Sequence, residues 1–151
     1  MSARAELLLG FRFGVFFFAL GVIPNPIDIR FRKVRGLSST VKTQPIQEGG
    51  QNLYTQHVPV GIEHGNLILE RGMVIGSPLN LEFNAAMSLF SFSPSNVLVT
   101  LFNEASIPVA AWLFMKAYPV RWSTSDLDAE QKELLIDTLE LAYGGLQIVR
   151  V

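Results

Sequence analysis

Few side chains in this sequence have the types and spacing that catalysis or metal binding requires. His57 and His64 are the two histidines of a chain of 151 residues, seven positions apart in a segment without helical periodicity. That spacing fits neither a helical ligand pair nor a compact metal motif. Gly49-Gly50 lacks the downstream Gly-Lys-Ser/Thr of a phosphate loop, and no Gly-x-Ser-x-Gly elbow offers a serine nucleophile. There is no cysteine, which removes disulfides, thiolate catalysis and the usual zinc clusters together. Carboxylates are scattered along the chain. The expectation is a protein that is not an enzyme and holds no cofactor or metal.

What remains is the chemistry of contact. Residues 40–46 and 66–71 read as strands, the second by the alternation of Leu67, Leu69 and Arg71 with Asn66, Ile68 and Glu70. Between them, 47–65 is rich in glycine and shows little apolar periodicity. A loop that long inside a domain is uncommon and is usually functional or disordered. It reads as a protruding arm that reaches another chain, with Glu48, Gly49, Gly50 and Asn52 at its contact. An acidic group on a reaching loop suits a basic partner on a neighbouring copy. Arg30, Arg32 and Arg35 are candidates, and Arg71 ends the strand that follows.

The composition agrees with burial against other chains. Hydrophobic residues make up 49% and charged residues 17%, a lean surface for a monomer, so apolar area is expected to be covered by further copies. A net charge of −1 excludes the chain as a whole from acting as an electrostatic trap for nucleic acid. The length fits one domain over 1–151. Residues 7–23 are apolar enough to suggest a signal peptide or a membrane span. Arg12 inside the run, Glu6 offsetting Arg4, and the lack of a small-x-small cleavage site argue against both. Phe and Val enrichment over 11–20 predicts a strand apolar on both faces, retained in the mature protein.

In chain order, Pro24-Asn25-Pro26 marks a turn. Residues 27–35 read as a strand with Ile27, Ile29 and Phe31 on one face. Asp28, Arg30 and Arg32 occupy the other, a face that suits solvent, a channel wall or a salt bridge to another subunit. Gly36-Leu37 marks a bulge or bend, after which 40–46 returns as the partner of a long hairpin. Ser77-Pro78 caps a helix with Leu79, Phe83, Ala86, Met87 and Phe90 on its core face. Strands at 96–103 and 107–116 are joined by Asn103 to Ser106, with Ala110, Trp112 and Phe114 on one face. Tyr118-Pro119 starts a new bend. Propensity over 125–143 favours a helix, but a period-two alternation from 133 permits a strand, and the strand is expected, with at most one helical turn at 126–131. Residues 146–150 finish as an edge strand. The sum is an α+β, mainly β domain: two packed antiparallel sheets forming a β-sandwich or barrel, flanked by one short helix.

Five of these pieces, in this order, resemble the inner tube proteins of contractile phage tails and related contractile injection systems. Phe31 to Leu37 matches a Phe-x-x-Val-x-Gly-Leu strand, Glu48 to Asn52 a Glu-Gly-Gly-x-Asn loop, and Leu67 to Gly72 a Leu-x-Leu-x-Arg-Gly strand. Pro108 to Phe114 matches Pro-Val-x-x-Trp-x-Phe, and Asp137 to Ala142 the final Glu-x-Leu-Glu-Leu-Ala segment. Arg35 departs from the pattern, which has a small residue there. The resemblance implies homo-hexameric rings whose inner strands close one barrel around a channel and stack into a tube. It also implies partners: a surrounding sheath, baseplate and hub or spike proteins, and a payload or DNA passed without sequence-specific binding. Membrane anchoring is not implied; assembly would occur in the cytoplasm, before release in a virion or extracellular particle. A ring at the baseplate end that initiates the tube shares the same motifs, and a monomeric ligand-binding barrel is the alternative of a different class.

Overall fold

The computed structural model describes residues 12–19, 23–24, 31–46, 49, 55–73, 78–90, 92, 94–130 and 134–150. Among these, ten strands and one helix follow in the order β1 (Phe13–Ala19), β2 (Ile23–Pro24), β3 (Lys33–Arg35), β4 (Ser39–Ile46), β5 (Gln56–His64), β6 (Leu67–Gly72), α1 (Pro78–Leu89), β7 (Ser95–Phe102), β8 (Pro108–Thr124), β9 (Ile136–Ala142) and β10 (Gly145–Arg150). All strand pairs are antiparallel. The main ladder runs β2-β1-β7-β8-β9-β6-β3, with β10 also on β8. Among the described residues its ends pair with no further strand and the ladder does not close into a barrel, so the fold is a sandwich.

The sandwich exists because β8 serves both layers. Its first half, through Ala117, is in register with β7 and β10, and its second half, from Tyr118 to Thr124, with β9. The change of sheet falls at Lys116, whose φ is 54°. There the Lys116 N–H donates to Asn96 Oδ1 at 3.2 Å, and Gly144 N–H donates to the Met115 carbonyl at 2.8 Å. A strand that switches sheets through a local bend is a standard way to turn a sandwich corner. The sequence suggested a break at Tyr118-Pro119. The strand instead runs through Pro119, and the register slips between Pro119 and Arg121.

Alternation then decides what lies between the layers. Val15 and Phe17 of β1, Val97 and Val99 of β7, and Trp112 and Phe114 of β8 are buried against Leu67, Leu69, Leu139 and Leu141 of the opposite layer. Each such side chain contributes roughly 1.5–3 kcal/mol on burial. Helix α1 packs on β8 and adds Leu79 and Phe83 to this core, with the Phe83 ring edge-on to Trp122 at 6.0 Å. Met87 and Phe90, expected on the same face, are exposed; Phe90 lies past the helix end with φ 53°. The expected strand near the C-terminus is β9, and residues 125–130 form no helical turn.

Arg12 does not interrupt an apolar span. Its Nη1 donates to the Glu104 carbonyl at 2.8 Å and to Ser106 Oγ at 3.3 Å, pinning β1 beside the β7–β8 turn. Asn103 closes that turn by accepting from Ala105 and Ile107 N–H at 2.9 and 3.0 Å. Among the described residues no helix is long and apolar enough to cross a membrane.

Candidate functional site

The feature that distinguishes this chain is a ribbon formed by β4 and β5. The sequence placed the whole of 47–65 in a loop and paired 40–46 with the strand before it. In the structure Gln56–His64 is a strand and it is the partner of Ser39–Ile46, so the loop shortens to the tip around Gly49. The misreading has a physical cause: Gly61 and Pro59 break the apolar pattern on which strand recognition depends. The register passes from Lys42 opposite Gly61 to Thr43 opposite Pro59, leaving Val60 as an extra residue, a β-bulge that adds local twist.

Apart from the half-buried His64, every described ribbon residue is exposed, including Val41 at 58% and Ile62 at 67%. Neither strand packs against any other described element. Its root is held where Ser39 Oγ and His64 Nδ1 share a hydrogen bond of 3.1 Å and the His64 ring meets Tyr143 at 5.5 Å. Tyr143 in turn packs edge-on against Phe114 at 4.8 Å. The root is thereby tied to the core while the ribbon projects.

The two outer faces of the sandwich differ in kind. On the layer of β3, β6, β9 and the end of β8, the outward side chains include Lys33, Arg35, Glu70, Arg121 and Glu140. Arg35 pairs with Glu70 at 3.2 Å, and Asn66 Nδ2 donates to Glu140 Oε1 at 3.0 Å. On the layer of β1, β7, β10 and the start of β8, Phe16, Leu98 and Leu113 form one outward row across three strands, with Ala111, Met115 and Val149 beside it. None of the outward residues paired in these ladders is charged.

Of the contact residues read from sequence, Gly49 and Arg32 are exposed, and the Arg32 N–H donates to the Glu70 carbonyl at 2.8 Å. Glu48, Gly50, Asn52 and Arg30 lie outside the described residues. Arg71 is 2% exposed within its own chain: its Nη2 donates to Asn80 Oδ1 at 3.0 Å, and its guanidinium lies 5.2 Å from the Phe31 ring centre. It stands opposite Asp137, also 2% exposed, whose Oδ1 accepts from Thr124 Oγ1 at 2.8 Å. Period-two patterning placed Arg71 on the face of Leu67 and Leu69. That same alternation buries it.

No group of metal-holding side chains occurs among the described residues. A surface depression of about 540 Å³ between Ser125 and Ile136 is lined by Leu127, Leu134 and the turn carboxylates Asp126 and Asp128. It assembles no nucleophile, base or oxyanion donor.

A search of curated proteins by sequence finds no match. Among solved structures, a chain in the cryo-EM structure of the anti-feeding prophage (AFP) baseplate, 6-fold symmetrised, is 40% identical; the alignment covers 99% of this chain and 98% of that one, with a TM-score of 0.86. A chain in the sheath–tube complex of an extracellular contractile injection system, PVC, in the extended state, is 20% identical over 96% and 93%, with a TM-score of 0.78. Hcp1 from Flavobacterium johnsoniae shares the fold at 12% identity over 90% and 93%, with a TM-score of 0.51. The family model described as T4-like virus tail tube protein gp19 matches residues 10–147, and the chain belongs to that family of structural tail tube proteins.

Proposed function

We propose that this protein forms homo-hexameric rings of the inner tube of a contractile injection particle, and that the β4–β5 ribbon couples each copy to the next. The observation that carries this reading is the ribbon itself. A two-stranded hairpin is marginal alone in water, and this one holds five exposed large hydrophobics (Val41, Ile46, Val58, Val60 and Ile62) with no cover from its own chain among the described residues. Such a segment is stabilised by contact with another subunit. The rings stack around a channel that passes a payload or DNA without reading sequence, inside a sheath, with baseplate and hub or spike proteins at one end. The protein assembles in the cytoplasm and leaves it as part of a virion or extracellular tail-like particle. It acts mechanically and not as an enzyme.

One observation favours the baseplate end of the tube over its shaft. Identity is 40% to the chain from the AFP baseplate structure but 22% to a chain from the AFP tube-terminating cap. Identity to the chain from the PVC sheath–tube complex is 20%, so a ring that initiates the tube is the reading we favour over the repeating tube subunit.

Electron microscopy of the purified protein tests the assembly, with six-fold rings expected and a monomer at micromolar concentration counting against it. Gold labelling of the protein in intact particles separates the two positions: a single spot at the baseplate end is expected, and label along the whole shaft would make it the repeating subunit.

A further inference from the structure

The ribbon is exposed, and the uncharged outer face of the first sandwich layer carries a row of half-buried apolar side chains, Phe16, Leu98 and Leu113, with the neutral Gln147 at its end. Their faces can be compared. Cross-strand partners project to the same side, so Val41 and Ile62, Thr43 and Pro59, and Pro45 and His57 share one side of the ribbon. That side carries no Lys, Arg, Asp or Glu among those positions. The other side carries Lys42 and Glu63 beside Ile46 and Val58. The two sides of the ribbon are thus distinct, and only one matches a surface without charge.

We infer that the Val41–Ile62 side of the ribbon docks on the Phe16–Leu98–Leu113 face of a second copy of this chain. This rests on the tube reading above and names the surface that receives the ribbon. The charged outer layer is excluded as the receiver because Lys33, Arg121 and Glu140 would lose water against Val41 and Ile62 without gaining partners. Dimensions agree: eight residues of ribbon extend roughly 26 Å and two strands span roughly 10 Å, against roughly 19 Å across four strands of the receiving face. One such contact buries on the order of several hundred Å² per partner, below the ~800 Å² per partner of a standard pairwise interface. The donor and receiver surfaces are different patches, so the contact is head-to-tail and gains strength by repetition around a ring.

The absence of native cysteine makes disulfide trapping a clean test. Ile62→Cys and Leu113→Cys in one chain should give, under oxidation, a ladder of covalently linked subunits on a non-reducing gel, while each single variant gives none above background. In parallel, Val41→Lys should abolish rings, and Gln44→Lys, on the opposite side, should leave them. The ribbon touches no other described element, so both variants should keep the circular dichroism and melting temperature of the parent chain. Rings that form normally with Val41→Lys, or rings of the double-cysteine chain that give no covalent ladder, overturn the docking surface and leave the tube reading standing. A parent chain that forms no rings overturns the tube reading, and the docking with it.

Discussion

At the scale of single residues, the family motif is explained by backbone and burial more than by contact chemistry. Gly36 adopts φ +90° beside Asn66, and a Cβ there would collide with the Asn66 carbonyl oxygen. Gly36→Ala should destabilise the chain by about 1–3 kcal/mol, the range for a strained residue held by its surroundings, read by chemical denaturation. Arg71→Ala removes a buried guanidinium that donates to Asn80 and lies over Phe31, and should lower stability by about 1–3 kcal/mol. Normal monomer stability with lost assembly would instead return Arg71 to an interface. The hydroxyl of Tyr143 is buried without a hydrogen-bond partner among the described residues, and desolvation raises its pKa above the ordinary 10.0. A folded-state value above the unfolded one gives a contribution that is complete below about pH 10 and lost as pH rises through the folded value. Tyr143→Phe should therefore flatten the loss of stability in alkaline denaturation, and an unchanged alkaline profile would deny the hydroxyl that role.

At the scale of elements, what was legible in the sequence followed period and turn chemistry. The apolar runs at 96–103 and 107–116, the second with Ala110, Trp112 and Phe114 on one face, located β7 and the first half of β8, and Asn103 to Ser106 marked their turn. In the segment that became β9, Leu139 and Leu141 at period two outweighed a helical propensity, because burial between sheets overrides intrinsic preference. Period could not show β5, where Pro59, Val60 and Gly61 contain a bulge and both faces are exposed in one chain. It also misplaced Met87 and Phe90, since α1 contacts the core along a narrow stripe and ends at Leu89. The ribbon is an appendage to the fold, so replacing residues 41–62 with a two-residue Asn-Gly turn should leave a soluble chain that melts cooperatively while ring formation is lost. Failure of that chain to fold would make the ribbon part of the core structure.

At the scale of the whole molecule, the sandwich has one charged outer layer, one uncharged outer layer and a projecting ribbon, and the proposed assembly would cover the last two. Amide exchange should report this directly: β4 and β5 should exchange freely in isolated subunits and be protected in rings, whereas β7 and β9 should be protected in both. Equal protection of β4 and β5 in the two states would assign the ribbon a partner within its own subunit. The shared strand β8 has a further meaning in the proposed function, where a tube is driven through a barrier. One polypeptide segment of 17 residues is laced into both layers, so the layers cannot slip past each other without shearing the β7, β10 and β9 ladders at once. Resistance to a sudden push is set by the height of the unfolding barrier and not by equilibrium stability. By tying its two layers with a single thread, the subunit behaves under thrust as one rigid block, and the force that reaches one face is delivered to the other.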